Sequence, residues 1–235
     1  MTSPRIERLL ACTLALAVLC SLGLSLTHAQ DQTEPAPAEQ DSEIVVARLT
    51  YDNGKTAVCF ADQFLTTYAR ETEQNVRRSY VQVALDDDDL FEYPFLVFSG
   101  QEAFELSDKE KQNLKRYVER GGFVLASAGC SNNAWARSFE QVFAELFGED
   151  RLVGLDTEHG LFHTVYDITN IDVSRPSGRP PIQAMTSDGR VRVLYSPLGL
   201  NDTGNAGGDC CCCGGSEIKN ARQINVNALG YALTR

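Results

Sequence analysis

A cysteine that directly follows a buried strand, with a helix start close behind it, is where this chain could place a nucleophile. Cys130 ends the run Phe123-Val124-Leu125-Ala126-Ser127-Ala128-Gly129-Cys130, and Asn132 or Asn133 can cap the helix that follows. A thiol at such a helix start has a lowered pKa and gains nucleophilicity. Backbone N–H groups near Gly100 could serve it as an oxyanion hole. The competing reading is a partly buried structural cysteine, or half of a disulfide with Cys59 or the later cysteine cluster, and that reading leads. His159 and His163 stand four apart, beside Glu158, and either could act as the base for Cys130. Cys210 and Cys213 have C-x-x-C spacing within four consecutive cysteines and, with the two histidines, could complete a tetrahedral zinc set. Disulfides or free thiols are the simpler reading of the cluster, so no cofactor is expected beyond zinc as an alternative.

The elements that must position these groups follow from periodicity. Residues 44–49 are apolar and largely β-branched, as in a buried strand, and Asp52-Asn53-Gly54 signals a turn. Phe60, Phe64, Leu65 and Tyr68 recur at helical spacing to about Thr72, and residues 80–85 predict a second strand. The four acids at 86–89 contain no glycine and run straight into Leu90-Phe91, so a solvated loop fits them better than a calcium loop. Residues 93–130 organise the chain. Phe95-Leu96-Val97-Phe98 predicts a strand ended by Ser99-Gly100, and Ser107 with Glu110 forms a capping box. Leu114, Tyr117 and Val118 give that helix its apolar stripe, and Gly121-Gly122 stops it before the next strand, 123–126. Such a strand-helix-strand unit makes its strands parallel. The expectation is one α/β domain with a doubly wound, mainly parallel sheet. Ligands collect beyond the carboxyl ends of such strands, which here are Ser99, Gly100, Gln101 and Ser127.

Trp135, Phe139, Val142, Phe143, Leu146 and Phe147 predict a core-facing helix closed by Gly148, and residues 152–155 a further strand. Residues 156–188 read as an irregular loop or cap, 190–195 as a late strand, and 218–232 as a terminal helix whose face includes Ile224, Asn225 and Leu229. No internal repeat is apparent.

The chain has 235 residues and a formal net charge of -11, which disfavours nucleic acid as a partner. Arg5 and Arg8 precede an apolar run over 9–26, and Thr27-His28-Ala29 offers small residues for cleavage after Ala29. Residues 1–29 therefore read as a signal peptide, and the chain is expected to be exported, periplasmic or otherwise extracytoplasmic. Membrane attachment would come only through an uncleaved segment. Cleavage removes two arginines and one glutamate, taking -11 to -12. It leaves six cysteines in a compartment that permits disulfides. Residues 30–43 are rich in proline, alanine and acids and read as a disordered tether, so the domain should span 44–235.

Ala47-Arg48-Leu49-x-Tyr51, Tyr93-Pro94-Phe95-Leu96, Leu106-Ser107-Asp108-x-Glu110 and Gly121-Gly122-Phe123-Val124-Leu125-Ala126 together resemble an uncharacterised exported bacterial family, domain of unknown function four-one-five-nine. Asp188-Gly189-Arg190, Tyr195-Ser196-Pro197 and Asn225-x-Asn227-Ala228-Leu229-x-Tyr231-Ala232-Leu233-Thr234 continue the resemblance to the C-terminus. It implies a class I glutamine amidotransferase-like fold, related to flavodoxin-like sheets, and no known activity. It also implies envelope partners of the MoxR-type ATPase and von Willebrand factor A-type systems. An amidotransferase would carry Gly-x-Cys-x-Gly and a late His-x-Glu. Here Ala128 falls near the nucleophile position, Cys130 lies two residues beyond, and His-x-Glu is absent. The leading expectation is a non-catalytic envelope domain that binds a partner or small ligand at the sheet mouth. The alternatives are a cysteine-dependent hydrolase or transferase and a zinc-bearing domain.

Overall fold

The structure, a computed structural model, describes residues 42–52, 59–175, 178–202 and 217–234. The leader, nearly all of the tether, and Cys210 and Cys213 lie outside the described residues. Seven strands form one sheet: β1 (Ala47–Thr50), β2 (Val81–Ala84), β3 (Phe95–Gly100), β4 (Phe123–Ala128), β5 (Val153–Gly154), β6 (Gln183–Ser187) and β7 (Arg190–Ser196). Their order is β2-β1-β3-β4-β7-β6-β5. The pairs from β2 through to β7 are parallel, and β6 and β5 are antiparallel additions at one edge.

β3 and β4 are buried at all six of their positions because helices cover both faces of the sheet. On one face α1 (Gln63–Thr72) and α4 (Ala221–Leu233) bring Phe64, Leu65, Ile224 and Leu229 onto Phe95, Val97, Phe123 and Leu125. On the other, α2 (Asp108–Glu119) and α3 (Asn133–Phe147) bring Leu114, Tyr117, Trp135 and Phe139 onto Leu96, Phe98, Val124 and Ala126. Alternate residues of one strand thus feed opposite cores, as a period of two requires. Each large side chain so buried contributes about 1.5–3 kcal/mol. No helix among the described residues is long and apolar enough to cross a membrane.

The predicted caps are present. Ser107 Oγ accepts from the Glu110 N–H at 3.3 Å, and Glu110 Oε2 accepts from the Ser107 N–H at 2.7 Å. Asn132 Oδ1 accepts from the N–H groups of Ala134 and Trp135 at the start of α3. Gly121 follows α2 at φ 93°. The acid run forms a 3₁₀ turn over Asp88–Glu92, capped by the Asp87 carboxylate accepting from the Asp89 N–H.

The sequence expectation differs from the structure in the stretch 156–188. β6 lies inside it and pairs with β7 as a hairpin through Asp188-Gly189, both at positive φ (52° and 72°), the geometry of a type I′ turn. A register shift between Met185 and Thr186 breaks the alternation that would have marked the strand. β1 also begins later than expected. Ile44 instead forms a separate bridge with Val76.

Candidate functional site

β3 and β4 end together, with Ser99 paired to Ser127 and Gly100 to Ala128. The register therefore gathers Ser99, Gly100, Gln101 and Ser127 at one mouth, where β1 also ends. Both serines are fully buried. The Ser127 hydroxyl donates to Asn201 Oδ1 at 2.9 Å and accepts from the Leu200 N–H at 2.9 Å. Asn225 Nδ2 of α4 donates to the Leu200 carbonyl at 2.8 Å, and the Asn201 carbonyl accepts from the Ala61 N–H at 3.0 Å. One serine thus ties β4 to the chain after β7, to α4 and to the approach to α1. Among the described residues, Ser99 Oγ and Asn201 Nδ2 are buried there without a hydrogen-bond partner. Each such group costs about 1–3 kcal/mol when left dry and unpaired.

Two aromatic side chains fill the opening between β1 and β3. The Tyr51 hydroxyl donates to the Ser99 carbonyl at 2.8 Å and accepts from Trp135 Nε1 at 2.6 Å. Burial pushes the Tyr51 phenol well above its ordinary pKa, so it stays a donor. Gly100 is required by this packing, because a Cβ there would lie 2.2 Å from the Tyr51 oxygen and 2.3 Å from the Trp135 ring. Sequence reasoning placed Trp135 in the core stripe of its helix and assigned Tyr51, Asn201 and Asn225 no role at the mouth. The available signal was polar: asparagines interrupting apolar segments, and a glycine at the end of a buried strand.

Cys130 sits directly beyond β4 with φ 53°, in the left-handed region, and Ser131 follows at φ 55°. Both Cys59 and Cys130 are disulfide-bonded. Gln101 Nε2 donates to Cys130 Sγ at 3.3 Å. A disulfide sulfur is not a thiolate, so in this state Cys130 offers no nucleophile.

The histidines stand elsewhere. His159 caps the 3₁₀ turn Gly160–His163, its Nδ1 accepting from the Leu161 N–H at 3.1 Å. Its ring lies 5.7 Å from that of Tyr231, which in turn lies 6.4 Å from Phe123, the first residue of β4. Cys130 follows the other end of β4, and six strand residues span about 20 Å. The structure does not bring His159 to Cys130. His163 engages the Asp167 carboxylate with Nδ1 and the Thr157 carbonyl with Nε2. Burial holds the His159 pKa below its ordinary value. Among the described residues no group of three or more His, Cys, Asp or Glu side chains is placed to hold a metal ion. Cys210 and Cys213 are outside that set.

No curated protein matches the chain. The family model described as "Domain of unknown function (DUF4159)" matches residues 45–233, the whole sheet and all four helices, and the chain belongs to that family.

Proposed function

We propose that the chain is an exported, non-catalytic domain of flavodoxin-like, class I amidotransferase-like topology that engages a partner or small ligand at the carboxyl ends of β1, β3 and β4. The observation that carries this reading is the disulfide at Cys130, which engages the sulfur beyond β4 that could otherwise supply a thiolate. The Ser99 hydroxyl and Asn201 amide, unpaired among the described residues, support it, since a bound group could supply their hydrogen bonds. The topology is supported by the order β2-β1-β3-β4-β7, with α1 and α4 on one face and α2 and α3 on the other. The chain order changes direction at β1 and β3, where ligands of open parallel sheets collect. Export follows from the leader, and an envelope protein of the kinds named above is the partner class the resemblance suggests.

Alkylation of native, unreduced protein, read by peptide mass, tests the reading. Cys130 should stay unlabelled until a reductant is added. Labelling of Cys130 without reductant, together with a hydrolase or transferase activity lost in Cys130→Ser, would overturn it. A second reading, cysteine chemistry after reduction, is favoured by one observation: Cys130 is held in a sparsely populated backbone conformation just before the N-terminus of α3.

A further inference from the structure

We propose a second binding site, at the opposite end of the sheet from the mouth, for a small ligand carrying two or more phosphate or carboxylate groups. The amino ends of β3, β4 and β7 open into a cleft of about 790 Å³ lined by Tyr93, Arg120, Gly121, Arg190 and Arg192. Arg116 and Arg120, one helical turn apart at the end of α2, both stack on Phe91, with guanidinium carbons 4.9 and 4.8 Å from its ring centre. Arg192 donates to the Gly121 carbonyl at 2.7 Å. Arg190 donates to the Tyr231 carbonyl at 3.0 Å and to that of Thr234, and lies 4.9 Å over the Tyr231 ring.

These contacts fix the position of the guanidinium groups without neutralising them. Carbonyls and ring faces are uncharged, and none of the four arginines forms an ion pair among the described residues. Elsewhere on the same surface Arg70, Arg77, Lys111 and Arg222 each meet a carboxylate. Three uncompensated arginines line the cleft and Arg116 shares the Phe91 ring with one of them, which is the more telling in a chain whose net charge is -11. Glu92 is the lining carboxylate and pairs with none of them. Guanidinium forks match the paired oxygens of phosphate and carboxylate, and each arginine here has N–H donors beyond those the carbonyls use. Gly121, whose φ of 93° disfavours any other residue, both stops α2 and turns its carbonyl to Arg192.

Titration of the full-length chain with pyrophosphate and, separately, with citrate, followed by calorimetry, tests the site and separates the two oxyanion sources. At least one should bind saturably near one per chain and weaken as salt is raised. Arg116→Gln with Arg120→Gln should weaken it by about ten-fold or more, since both side chains leave the fold's hydrogen bonds untouched. Lys219→Gln, which removes a cation paired with Asp172 beyond the carboxyl end of β7, should change it less than about two-fold, and Glu92→Gln should tighten it. Pyrophosphate alone marks a phosphate ligand, citrate alone a polycarboxylate. Absence of saturable binding by both, or binding unaltered in the double variant, would overturn the proposal.

Discussion

Ser127 carries more of the mouth than its size suggests. Its hydroxyl is shared between the Asn201 amide oxygen and the Leu200 N–H, and it has no access to water. Ser127→Ala would leave a donor and an acceptor buried and unpaired, which costs about 2–3 kcal/mol. The urea midpoint should fall accordingly with little change in slope, and an unchanged midpoint would refute this account. The position of Ser127 was legible from the sequence, because strand ends follow from the apolar run and the glycine after it. Its partners were not. Asn201 lies 74 residues away, and only the fold decides which asparagine meets which serine. Cys130 is a similar case, since its place beyond β4 was readable but its oxidation state depends on which sulfur approaches it.

α2 shows how a local signal can conceal a long-range one. The capping box of Ser107 and Glu110 was readable because both partners lie within four residues. Glu110 is in addition almost fully buried, and its second oxygen accepts from the Asp52 N–H at 3.0 Å, fastening the helix start to the end of β1. Ser107→Ala should cost about 1 kcal/mol, the usual price of an N-cap. Glu110→Ala removes both the cap and the tie to β1 and should cost about 2 kcal/mol or more by thermal or urea unfolding. Equal losses in the two variants would show that the Asp52 contact contributes nothing. β6 was missed for a related reason, because its bulge is invisible to a periodicity test and the Asp188-Gly189 pair that turns it into β7 was not read as a hairpin signal.

For the molecule as a whole, acid should be destabilising in a way that one histidine helps to set. His159 serves its turn as an acceptor and so must be neutral at Nδ1, and burial lowers its pKa in the folded chain. Between that lowered value and the ordinary one near 6.5, the unfolded chain binds more protons than the folded one. Stability from this group is therefore complete above about pH 6.5 and is lost as pH falls towards the folded value. His159→Asn keeps a capping acceptor without a titrating ring. The drop in melting temperature between pH 7.5 and pH 5 should be smaller in that variant, and an identical drop would remove His159 from the explanation.

The aromatic plug at the mouth also makes the protein its own optical probe. Trp135 is the single tryptophan of the chain, fully buried, stacked on Phe139 at 5.3 Å and hydrogen-bonded to Tyr51 beside Gly100. Its emission therefore reports on one place. Any occupant that displaces Tyr51, or wets the indole, will shift the spectrum without a label, while a ligand held in the arginine cleft at the far end of the sheet should leave the colour unchanged.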